Sequence, residues 1–175
     1  MFSTTSIFSK IIAICALLIS LNSFGQLDNY RNLYFGAQSA EGKKSFYNTM
    51  LTANESNAVF KAYKGVAFAM YADVASSVED KFKYFDQGKV LIEAAIQGDF
   101  WNPEIRFLRY SVQAEVPWFL KYNSNLQEDA NIVLDALRKK SIDPKTDFWK
   151  KAIAFIINSN EMPSSIEDEL KKFKF

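Results

Sequence analysis

Residues 82–117, FKYFDQGKVLIEAAIQGDFWNPEIRFLRYSVQAEVP, decide how this chain folds. Apolar or small residues fall at Phe82, Phe85, Gly88, Ile92, Ala95 and Ile96, in steps of three and four that line one face of a helix. Gly98-Asp99-Phe100-Trp101 makes a turn. Asn102 then caps a second helix, with Pro103 at its first position, where a missing N–H costs nothing. Ile105, Leu108 and Val112 give that helix an apolar face, and Pro117 stops it. Two amphipathic helices joined by a short loop pack antiparallel, and neither buries its stripe alone. The stretch therefore predicts an all-α protein of stacked helix hairpins.

The same signals recur in both directions. Upstream, Leu27, Tyr30, Leu33, Tyr34 and Ala37 have helical spacing, and Gly42 precedes a short segment carrying Phe46, Tyr47, Met50 and Leu51. A longer helix spans about Ala58 to Ser76, with Val59, Tyr63, Val66, Ala67, Met70 and Val74 on one side. Ser76 with Glu79, or Ser77 with Asp80, has capping-box spacing and opens the helix containing Phe82. Downstream, Asn125 and Glu128 repeat that spacing ahead of Leu126, Val133, Leu134 and Leu137. Asp143-Pro144 repeats the cap-then-proline start ahead of Phe148, Ala152, Phe155 and Ile156. A last short helix covers Ser165 to Phe173. About eight helices with short loops make one domain over residues 26–175, as an α-solenoid or α-α superhelix.

Residues 1–25 read as a secretory signal peptide. Lys10 precedes an apolar run from Ile11 to Leu21, and Ser23 and Gly25 form a small-x-small end that places cleavage before Gln26. The run is shorter than the roughly 20 residues a membrane span needs, so no stable membrane insertion is expected. Cys15 lies inside the apolar run, with Ala16-Leu17-Leu18-Ile19 still to follow, which is the wrong place for lipidation. The expected address is exported: the periplasm or the periplasmic face of an outer membrane.

Of 21 basic and 20 acidic residues, Lys10 alone lies in the leader, so the mature chain balances. Nucleic acid needs a basic excess and is not an expected partner. The chain has no histidine, and its one cysteine, Cys15, leaves with the leader. Serine–histidine and cysteine–histidine nucleophile systems are therefore excluded, as are the usual zinc ligands. No cofactor, metal or catalytic residue is expected, and the six glycines are scattered with no phosphate loop.

Ala95-Ile96-Gln97-Gly98-Asp99-Phe100-Trp101-Asn102-Pro103-Glu104 resembles the turn between tetratricopeptide repeats, with Phe100 where that pattern has proline. Gly65 resembles the small residue that lets paired helices of such repeats approach closely. Gly65 and Ala95 are 30 residues apart, where a 34-residue repeat allows about 19, so the pair is unusually long. The leader ending at Gln26, Tyr63-Lys64-Gly65 and Arg106-Phe107-Leu108-Arg109-Tyr110 resemble a group of small exported helical proteins of Bacteroidetes without an assigned activity. That resemblance implies an address and a fold, and no chemistry.

Arg106, Arg109 and Gln113 share one helical face, at i, i+3 and i+7. Such a face could grip a carboxylate or phosphate, with Tyr63 nearby, or bridge to acids of a neighbouring helix such as Glu93 or Glu104. Trp101, Trp118, Phe119 and Tyr122 lie near loops, where aromatics either anchor a partner or seal the ends of the stack. The leading expectation is a non-enzymatic exported scaffold that binds a protein or peptide partner in the cell envelope. The alternative is a binder of small anionic ligands through the paired arginines, and the third is a carboxylate-based enzyme.

Overall fold

The computed structural model describes residues 25–159, 161 and 163–173. The expected leader lies outside the described residues but for Gly25, which opens the first helix. Among the described residues every regular element is helical: α1 (25–36), α2 (Ala40–Met50), α3 (Ala58–Val74), α4 (Val78–Gly98), α5 (Pro103–Glu115), α6 (Leu126–Arg138), α7 (Asp147–Asn158) and α8 (Ser164–Leu170). None of them is long and apolar enough to cross a membrane. The all-α class and the eight-helix order are those the sequence predicts.

The starts of α2 to α5 follow from side-chain capping, whereas Asn125, the cap expected ahead of α6, makes no such bond. Asn102 Oδ1 accepts from the N–H groups of Glu104 (3.0 Å) and Ile105 (3.3 Å), with Pro103 first in the helix. At α4 it is Ser77, not Ser76, that caps, accepting from Asp80 N at 3.0 Å. The Asp143-Pro144 start is a correction: α7 begins at Asp147 behind Thr146. Asp143 instead accepts from Lys145 N at 2.9 Å and closes a tight turn.

Helix pairing differs from the hairpin read over residues 82–117. The broad antiparallel partner of α4 is α3, whereas α4 and α5 touch little. Gly65 and Gly88 allow this pairing. A Cβ on Gly65 would come within 2.8 Å of the Gly88 carbonyl, and one on Gly88 within 2.5 Å of the Gly65 carbonyl. Only bare backbones can approach that closely. The same face buries Phe85, Ile92, Ala95 and Ile96, but Phe82, expected on that face, is 47% exposed.

Helix α3 also packs against α2 and α5, and α5 against α6, while α7 makes smaller contacts with α5 and α8. Helix α5 is thus enclosed, and every residue from Glu104 to Gln113 is buried. Around it the core is aromatic. Tyr34 meets Phe46, Tyr63 and Phe107 edge-on, with ring centroids 6.0–6.4 Å apart, and Phe107 meets Phe148 and Phe155. Such pairs add about 0.5–1.5 kcal/mol each beyond their buried area. After Pro117 the chain makes a single 3-10 turn, Trp118–Leu120, ending at Lys121 in the left-handed region (φ 49°).

Candidate functional site

Burying a helix on all sides buries its polar residues too, and each must find partners. Arg109 forks onto Asp129 of α6, donating from Nε to Oδ2 and from Nη2 to Oδ1, both at 2.7 Å. Arg106 donates from Nη1 to the same carboxylate at 2.9 Å and to Glu128 at 3.1 Å. Glu93 of α4 accepts from Arg109 Nη1 at 3.0 Å and from the Tyr122 hydroxyl at 2.7 Å. Gln113 exchanges two hydrogen bonds with Asn125, at 3.0 and 3.2 Å. Among the described residues Arg106 Nη2 has no hydrogen-bond partner, and the Phe100 ring, 4.0 Å from Cζ, covers the guanidinium instead.

The electrostatics follow this packing. Burial works against the Arg109 charge, but Asp129 and then Glu93 outweigh it and raise its pKa. Burial pushes the Asp129 carboxyl up, against the pull of Arg109 and Arg106. Burial also pushes Glu128 up, but the Asn125 amide and the two arginines outweigh it and hold its carboxyl below the usual value. Burial, reinforced by Glu93, raises the Tyr122 phenol.

A second buried group sits at the start of α5. Glu104 accepts from the Tyr63 hydroxyl at 2.7 Å and from Arg31 Nε at 2.9 Å and Nη2 at 2.5 Å. Burial raises the Tyr63 phenol well above its ordinary value, with Glu104 adding to it.

Of the two alternatives for the arginine face, the structure has it bridging to acids of its own fold. Glu93 is a partner that the sequence named, whereas Glu104 belongs to Arg31 and Asp129 was not anticipated. Arg106, Arg109, Gln113, Tyr63 and Tyr122 are all buried in these two networks and present no open anion-binding face. The structure does not bring them together with the tryptophans, which stand outside, Trp118 83% and Trp101 74% exposed.

The open site lies elsewhere. A cavity of about 670 Å³ reaches from the surface toward the core beside Tyr34, Val66, Met70, Ala72 and Val112. Val78 and Phe82 of α4, with Phe119 of the 3-10 turn, also line it, and all three are exposed. They form its mouth. Its walls are mostly apolar, and Tyr34 and Ser111 bring two neighbouring hydroxyls to it. Burial pushes the Tyr34 phenol up, so this group is a neutral donor at ordinary pH. Lys43, Asp73 and Lys81 form one charged lip, and Glu115 is the carboxylate supplied by α5.

Protein interiors hold few voids larger than a water molecule. A cavity of this size falls within the range of about 300–1,000 Å³ typical of small-molecule sites. Its residues come from α1 to α5, α7 and the segment after Pro117, a combination that no spacing along the chain reveals. Exposed apolar Phe82 beside Phe85 is the one local signal that could have pointed to it. Comparisons with family models, curated proteins and solved structures find no match for this chain.

Proposed function

We propose that this chain is a binding protein, working without chemistry of its own, that holds an apolar guest in the cavity beneath the Trp118–Leu120 turn. The observation that carries this reading is the open, mostly apolar cavity of about 670 Å³ in a chain with no histidine. Export to the cell envelope, as read from Lys10 to Gly25, belongs to the same proposal. Titration with the neutral apolar dye Nile red tests it. Saturable enhancement of fluorescence is expected, weakened at least fivefold by Met70→Trp, which fills the cavity, and by Phe82→Ser at its exposed mouth. Absence of saturable binding, or binding indifferent to both substitutions, would overturn it.

A protein or peptide partner is the second reading, supported by the exposure of Trp118 and Trp101. Its test is crosslinking in the native envelope, with one stoichiometric partner lost on Trp118→Ala. Tetratricopeptide-like stacking belongs here as well, supported by the Gly65–Gly88 approach and the contacts of α5 with α3 and α7.

A further inference from the structure

The guest's chemistry is written in the cavity's two ends. The interior offers an apolar path past Val66, Met70 and Val112, closed by Phe155. A flexible hydrocarbon chain fits such a space, because it gains from burial along its length and needs no partners there. Ser111 Oγ already donates to the Leu108 carbonyl at 2.9 Å, so the interior makes little demand for a polar terminus.

The lip carries the charge. Lys43 Nζ lies 2.5 Å from Asp73 Oδ2. This hydrogen bond, with the fields of Lys43 and Lys81, holds the Asp73 carboxyl below its usual value despite burial. Lys81 Nζ donates to the Asp73 carbonyl at 3.2 Å and makes no ion pair among the described residues. Lys43 and Asp73 pair with each other, which leaves Lys81 as the cation at the lip without a carboxylate partner among the described residues. Glu115, from α5, balances the charge of the lining as a whole, so the place for an anion is local to Lys81. A single carboxylate gives Lys81 the partner that Asp73 already gives Lys43.

We infer that the cavity binds a long-chain carboxylate, its hydrocarbon chain running inward between α3 and α5 and its head held at Lys81. The inference rests on the cavity being the binding site. The apolar mouth formed by Val78, Phe82 and Phe119 admits the chain, and the charged lip fixes its direction.

Displacement of bound Nile red from the full chain by hexadecanoate, below its aggregation concentration, tests this. Hexadecanoate is expected to displace the dye at least tenfold more effectively than hexadecanol, which has the same chain and no charge. Lys81→Glu is expected to remove that advantage, with displacement by each ligand read against the variant's own Nile red affinity. Equal displacement by the two ligands, or an advantage that survives Lys81→Glu, would overturn the carboxylate. Stronger displacement by a single-chain phospholipid would assign a phosphate head instead. Displacement by an amphipathic peptide and not by hexadecanoate would overturn the acyl chain. In each of these cases the cavity still binds the dye, whereas failure of the dye itself to bind removes the site and this inference with it.

Discussion

Asp129 shows at the scale of one residue what holds this protein together. It is fully buried, and three N–H donations from two guanidinium groups converge on it. Replacing both sides of such a cluster with apolar groups is often harmless, but removing one side strands the other in a medium that cannot solvate it. Asp129→Ala is therefore expected to lose about 3–5 kcal/mol of folding free energy in chemical denaturation. Glu128→Gln, at a half-exposed carboxylate that shares the same arginines, should lose about 1 kcal/mol or less. Equal losses would place the weight on the rim of the network. The arginine face was legible from the spacing of Arg106, Arg109 and Gln113, and Glu93 as a bridging partner was too. Asp129 was not, because its own helix signals only a charged first turn. Which neighbour a face meets is decided by tertiary packing.

Helix pairing carries the lesson at the scale of elements. Caps were legible at Ser77 and Asn102, whereas Asn125 precedes α6 without a side-chain cap bond and Asp143 lends its carboxylate to a turn. Residues 82–117 contain two real helices, yet adjacency along the chain does not decide which stripes meet. The deciding feature is the glycine pair. Gly88→Ala would press a methyl against the Gly65 carbonyl and Ala69 N, at 2.5 and 2.8 Å, and both are backbone atoms that cannot step aside. A loss of about 1–3 kcal/mol is expected, read by thermal denaturation. At Gly98 an added Cβ meets only Ala58 Cβ at 3.5 Å. Gly98→Ala should instead be neutral or gain about 0.5 kcal/mol through reduced chain entropy. If the two substitutions behaved alike, the close approach of α3 and α4 would not be real.

At the scale of the whole molecule, core and cavity share their aromatic residues. Burial raises the phenols of Tyr34, Tyr63 and Tyr122 above the ordinary value of about 10. The unfolded chain then releases these protons first on the alkaline side and binds fewer of them, so stability falls as pH rises through that value. Absorbance at 295 nm should show the half-buried tyrosines ionising before these three, which ionise only together with loss of helical circular dichroism. Ionisation of all eight tyrosines in one step, with the helices intact, would contradict their burial. The cavity was illegible in the sequence, because it is the space left between five consecutive helices, α7 and a turn. Its existence as a receptive site is most directly tested by methyl-selective NMR of alanine and valine during titration with 1-decanol. Saturable shifts at Val66, Ala69, Ala72 and Val112, with Val90 on the outer side of α4 unmoved, are the predicted result. No saturable shift at those four methyl sites, or an equal shift at Val90, would contradict it.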